Sequence, residues 1–163
     1  MEKEKLSTQE LVERYKDEVE YFSRYIPWFE KKTADMVARM YRGEGTNDTF
    51  AFPVYDATLL SFINEAGTAS FINPNYRYIY SRYDIHNYKD EWRAIEETTI
   101  MNMEVIGGIL SKYILGGVTK AALWKEAVQY EIFLRCLKKM KEIVEFWDKP
   151  LEENFDLLHP GQQ

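Results

Sequence analysis

Cysteine occurs once in the 163 residues and histidine twice, and these scarcities remove whole classes of chemistry. A single thiol, Cys136, cannot close an internal disulfide, and its neighbours Phe133, Leu137 and Met140 make it a small apolar residue of a core rather than a nucleophile. His86 lies in a tyrosine-rich segment and His159 just before Pro160, so no closely spaced two-histidine metal motif can form. No Gly-x-Ser-x-Gly elbow, dinucleotide fingerprint or lysine-bearing phosphate loop occurs either. The expectation is a chain with no metal, no cofactor and no catalytic residue of the common nucleophilic kinds.

Long apolar runs are missing as well. None approaches the ~18 residues of a membrane span, and the N-terminal MEKEKLSTQE has no apolar stretch that could act as a signal peptide. This predicts a cytoplasmic protein with no membrane partner. Nor is there a surplus of basic charge: a net charge of -6 and a pI near 5.1 disfavour broad binding to nucleic acid or to an anionic membrane, either of which needs a basic face.

What the chain does hold is material for one core: 45% hydrophobic residues, with 12 Tyr, 9 Phe and 4 Trp. Helical periodicity runs through most of it. Ser7 can cap a helix starting at Thr8, with Glu10 closing a capping box and Leu6 stapling onto Leu11. From there Leu11, Tyr15, Val19, Phe22, Ile26 and Phe29 form a narrow stripe, which predicts that residues 8–26 protrude or dimerise. Pro27 kinks or breaks the pattern, and a second helical segment is expected over 27–42, ended by the loop Gly43 to Asp48. Residues 49–55 read as extended chain with no second strand to pair with, and Asp56 caps a short helix that Gly67 ends. YRYIYSRYDIHNY fits helix spacing better than strand spacing.

The stretch Asp90 to Leu115 is expected to be one central helix of about 39 Å, capped by Asn87. Trp92, Ile95, Thr99, Met103, Ile106, Ile109, Leu110 and Tyr113 fill one arc, and the C-terminal half is apolar nearly all round, as in a helix buried on several sides. Gly116-Gly117 would end it, Thr119 would cap a short helix, and a last helix would run from about Tyr130 to Trp147 after a break near residue 129. The predicted fold is thus all-α: a single domain of residues 1–148, with about six helices around a long central one, at most one short extended segment near 49–55, and an acidic tail over 149–163.

The order of segments resembles a family of small bacterial proteins known only as a domain of unknown function. The matching pieces are Tyr25-Ile-Pro-Trp-Phe-Glu30, Phe52-Pro-Val-Tyr55 with Phe62, Ile109-Leu-Ser-Lys-Tyr-Ile-Leu-Gly-Gly117, Trp124-Lys-Glu-Ala127 and Leu134-Arg-Cys-Leu-Lys-Lys-Met140. The resemblance implies a helical fold; it implies no activity and no site residue.

Two regions are candidates for function. The tyrosine segment offers Tyr76, Tyr80 and Tyr83 as rigid contact surface, with Arg77, Arg82 and Arg93 as forked donors to carboxylate or phosphate. On the second face of the central helix, Glu97 and Glu104 lie seven residues apart beside Gly107, Gly108 and Ser111. That strip either receives another helix, which would offset the cost of about 1 kcal/mol for each helical glycine, or lines a groove. The expected function is non-catalytic binding of a protein partner or of a second copy of the chain. The alternatives are an enzyme using Glu97 and Glu104 as acid and base or as metal ligands, and single-strand nucleic-acid binding through residues 76–93.

Overall fold

The computed structural model describes residues 7–42, 51–120 and 122–148. In chain order these form α1 (Thr8–Ser23), α2 (Ile26–Lys31), α3 (Ala34–Val37), β1 (Ala38–Arg42), β2 (Ala51–Tyr55), α4 (Ala57–Ala66), α5 (Tyr76–Arg82), α6 (Tyr88–Glu97), a 3-10 turn (Ile100–Asn102), α7 (Glu104–Thr119), α8 (Ala122–Gln129) and α9 (Ile132–Asp148). The architecture is all-α with one strand pair. Among the described residues no helix is long and apolar enough to cross a membrane.

Ser7 is itself extended and its hydroxyl accepts the N–H of Glu10 at 3.2 Å, so the helix begins at Thr8 as its cap dictates. Leu6, the expected staple, lies outside the described residues, as do the expected loop from Gly43 to Asp48 and the expected acidic tail over 149–163. The stripe on α1 packs on its own chain: Val19 and Phe22 are buried, with Val12 beside them, Leu11 and Tyr15 are partly buried, and the helix lies along α9. Pro27 sits in the first turn of α2, where the missing N–H interrupts no hydrogen bond, and the chain breaks just before it at Arg24-Tyr25.

The expected helix over 27–42 is corrected. Helix persists only to Lys31 and again over Ala34–Val37, after which Ala38–Arg42 pairs antiparallel with Ala51–Tyr55, Met40 opposite Pro53. Good helix formers such as Ala, Met and Arg occupy β1, so tertiary pairing overrides local propensity here. A two-stranded ladder has two outer edges, which is why Pro53, with no N–H to give, is tolerated. The ladder is closed by the Asp56 N–H donating to the Val37 carbonyl at 2.8 Å, and Asp56 then caps α4 through Thr58 N at 2.7 Å.

The expected single helix from Asp90 to Leu115 is corrected as well. Asn87 caps α6 through Asp90 N at 3.0 Å, but α6 ends at Glu97 and Thr98 turns extended. Thr99 and Asn102 then cap each other: the Thr99 hydroxyl accepts from Met101 N, and Asn102 Oδ1 accepts from Thr99 N at 2.7 Å. These short polar side chains offer the backbone a local alternative to the helix. What remains central is α7, where Val105 to Ser111, Tyr113, Ile114 and Gly117 are buried. It continues through Gly116-Gly117 to Thr119, so neither glycine ends it, and Thr119 donates back to the Gly116 carbonyl instead of capping the next helix. The indole of Trp124 packs where a Cβ on Gly117 would lie. The break before α9 falls at Tyr130-Glu131, with Glu131 at φ 57° in the left-handed region.

The core centres on rings that meet edge to face. Phe62 packs against Phe29 and Phe133 at 5.1 Å each and against Tyr25 at 5.2 Å. Gly107 lets α7 approach Phe71 in the segment that leads into α5, and Gly108 lets it approach α5 itself. A Cβ on Gly107 would stand 2.5 Å from the Phe71 carbonyl oxygen, and one on Gly108 would stand 2.8 Å from the Ile79 side chain. Gly107→Ala should therefore destabilise the protein by about 1–3 kcal/mol despite alanine's better helix propensity, because a backbone oxygen cannot step aside. Gly116→Ala meets only the flexible end of Leu123, 2.9 Å away, and should be close to neutral. Urea midpoints of the two variants give the comparison.

Candidate functional site

Glu91 stands on the inner face of α6 with Ala94, Ile95 and Thr98, and it is 1% exposed. A carboxylate taken so far from water must be matched by donors. It is matched from two other helices. Tyr80 of α5 donates its hydroxyl to Glu91 Oε2, Tyr113 of α7 donates to Oε1 at 2.7 Å, and the Lys112 ammonium lies 3.5 Å from Oε2. Lys112 Nζ is also 4.9 Å from the ring centroids of both Tyr80 and Tyr113. Beside this cluster Cys136 is fully buried, and burial, with Glu91 adding to it, pushes its thiol well up. That leaves it protonated and unreactive.

Lys112 links this buried cluster to the surface. A groove of about 420 Å³ opens over it between α5, the end of α7 and the start of α8, lined by Tyr76, Arg77, Tyr80, Lys112, Lys120 and Leu123. Arg77 and Lys120 are exposed on its rim, and neither has an ion-pair partner among the described residues. The lining contains three cations and no carboxylate, in a protein whose acidic residues outnumber its basic ones by 27 to 21.

Of the residues singled out in the tyrosine segment, Tyr76, Arg77 and Tyr80 come together in this groove. The others do not. Tyr83 points its hydroxyl to Glu104 Oε1 at 3.3 Å, Arg82 lies 5.7 Å from the Tyr83 ring, and Arg93 pairs with Asp90 at 3.5 Å. Glu97 is the last residue of α6 and Glu104 the first of α7, so the break between them removes the shared helix face on which an acid–base or metal pairing was conceived. Among the described residues no group of three or more acidic, histidine or cysteine side chains could hold a metal ion. The small-residue strip is filled: Gly108 receives Ile79 of α5, and Ser111 is buried, accepting from Asn73 N at 2.8 Å and donating to the Gly107 carbonyl at 2.6 Å.

Sequence reasoning missed Glu91, Lys112, Tyr113, Lys120 and Leu123. Glu91 did carry a signal, since Glu91, Ala94, Ile95 and Thr98 follow i, i+3, i+4, i+7 and place an acid on the apolar face. Lys112 and Lys120 carried none, because their meeting with α5 is a tertiary event.

Comparison with family models, with curated proteins and with solved structures finds no match to this chain.

Removing the carboxylate by Glu91→Ala leaves two buried hydroxyls and a half-buried ammonium without their acceptor and should cost about 3–5 kcal/mol, whereas Tyr113→Phe should cost about 1–2 kcal/mol. Alkali tests the same cluster. Burial, reinforced by the charge and hydrogen bonds of Glu91, raises both Tyr80 and Tyr113 far above the ordinary value of 10.0. Each holds its proton more tightly folded than unfolded, so the stability they contribute is complete below about pH 10 and falls as pH rises beyond it. Ultraviolet titration of phenolate should show these two tyrosines ionising only as the protein unfolds, and Tyr113→Phe should flatten the alkaline loss of stability.

Proposed function

We propose that this protein is a non-catalytic, cytoplasmic binding protein that docks a short acidic segment of a protein partner in the groove over Lys112. One observation carries the reading: three cations and two tyrosines line a single concave site from which carboxylates are absent. The volume suits an anchor of two or three side chains rather than a whole helix. Tyr76 and Tyr80 supply rigid contact area with little rotamer entropy to lose, and the exposed Arg77 guanidinium can grip a carboxylate with two parallel N–H bonds. The helix α1, considered above for self-association, buries Val12, Val19 and Phe22 within its own chain, lies along α9 and leaves Tyr21 exposed, which is less contact surface than the groove offers. Nucleic acid is the weaker occupant, since the acidic remainder of the protein would repel a long phosphate backbone.

A capped acidic peptide, EEFEE, is expected to shift the amide resonances of the groove residues Tyr76, Arg77, Tyr80, Lys112, Lys120 and Leu123 more than those elsewhere. The charge reversals Arg77→Glu and Lys120→Glu together should abolish the shifts without changing the melting temperature by more than a few degrees, both side chains being exposed. Tighter retention of a short oligothymidylate than of the peptide, lost in high salt, would replace this reading by nucleic-acid binding.

A further inference from the structure

Resting on that reading, we propose that the buried Glu91 sets which acidic ligands the groove accepts: it cancels the charge of Lys112 at the floor, so the site selects an apolar side chain flanked by carboxylates rather than a bare anion. The floor and the rim differ in their electrostatics. At the floor, Lys112 Nζ lies 3.5 Å from Glu91 Oε2 and 4.9 Å from the centroids of both the Tyr80 and the Tyr113 rings. Its charge is therefore met inside the protein, and what surrounds it is ring and methylene surface, continued by Leu123. On the rim, Arg77 and Lys120 are exposed and without ion-pair partners among the described residues. A ligand that puts its carboxylates on the rim and an aromatic or aliphatic side chain on the floor satisfies both zones. One that puts a carboxylate on the floor must compete with Glu91 for the same ammonium at close range, and the two like charges repel.

Glu91 touches the groove only from beneath, through Tyr80 and Lys112. It is 1% exposed and lies beneath Lys112, so it is a positioning residue for a ligand it does not touch. Its buried charge cannot be screened by salt as a surface charge can, which makes the selection persist across ionic strengths at which the rim attraction weakens.

The test compares ligands on the intact protein by amide-resonance titration. Wild type should bind the capped peptide EEFEE at least about tenfold more tightly than EEGEE, since seating a phenyl ring recovers most of its transfer free energy. Inorganic phosphate should perturb Arg77 and Lys120 while leaving Lys112 unmoved. Glu91→Gln, which keeps a side chain of the same shape but frees the Lys112 charge, should cut the preference for EEFEE to about twofold or less by strengthening EEGEE, and phosphate should now shift Lys112. Tyr113→Phe removes a hydrogen bond of the cluster but no charge, so it should weaken the fold and leave the wild-type ranking intact. Equal binding of the two peptides by wild type, phosphate seated at Lys112 in wild type, or an unchanged ranking in a folded Glu91→Gln protein would each overturn the proposal. If neither peptide binds wild type, the acidic-segment reading falls and takes this one with it. The wild-type comparisons stand on their own should Glu91→Gln fail to fold.

Discussion

A carboxylate sealed inside a helical protein is the constraint on which the rest of this structure turns. Glu91 is 1% exposed, and without partners such a group would cost several kcal/mol in lost hydration. The partners come from α5 and α7, as hydroxyls of Tyr80 and Tyr113 and the ammonium of Lys112. Three helices are therefore held in one relative placement by directional bonds, where apolar packing alone would tolerate sliding. Buried polar clusters of this kind are weak contributors to net stability and stronger contributors to a unique arrangement.

The placement has surface consequences. Because α5 must bring Tyr80 to Glu91, its N-terminal turn runs past the end of α7, and Tyr76 and Arg77 come to face Lys120 and Leu123. Close approach of α5 to α7 is possible only because Gly108 has no side chain, its place being taken by Ile79. The glycine, the buried acid and the basic groove are in this sense one structural decision: the gap at Gly108 admits α5, Glu91 fixes its position, and the groove is what is left between α5 and α8. The cations on the rim are exposed and cost little, whereas the one cation at the floor is half-buried and has its counter-ion built in.

Local signals in the sequence were read correctly where the cause was local. The Ser7, Asp56 and Asn87 caps act through hydroxyl, carboxylate and amide oxygens within three residues, and each is found where the spacing predicts. The all-round apolarity of residues 105–115 announced a central helix, and α7 is one. Misreadings occurred where distant chain decides. Ala38–Arg42 has the residues of a helix and becomes a strand because 51–55 lies alongside it. Gly116-Gly117 has the residues of a helix end and remains helical because Trp124 needs the space. In the groove, Tyr76, Arg77 and Tyr80 were recognisable as a cluster because they share one turn-and-a-bit of α5, whereas Lys112 and Lys120 join them only through the fold. Arg82, Tyr83 and Arg93 belonged to the same composition-rich segment yet find partners elsewhere, which shows that composition marks a region and not a site.

The most consequential misreading was of the stretch that seemed simplest. As one continuous helix, residues 90–115 would put Glu91 and Tyr113 about 33 Å apart, at 1.5 Å for each of the intervening steps. In the folded protein their side chains share a hydrogen bond of 2.7 Å. Only a reversal of direction between them makes that bond possible, and the reversal lies where Thr98 leaves the helix and Thr99 and Asn102 cap each other. Those three polar residues touch neither the carboxylate nor the groove. They nevertheless decide that α6 folds back on α7, so that an acid placed on the apolar face of one helix meets the phenol and the ammonium of the next. The chemistry of the site thus begins with a capping interaction at the far end of the two helices that carry it.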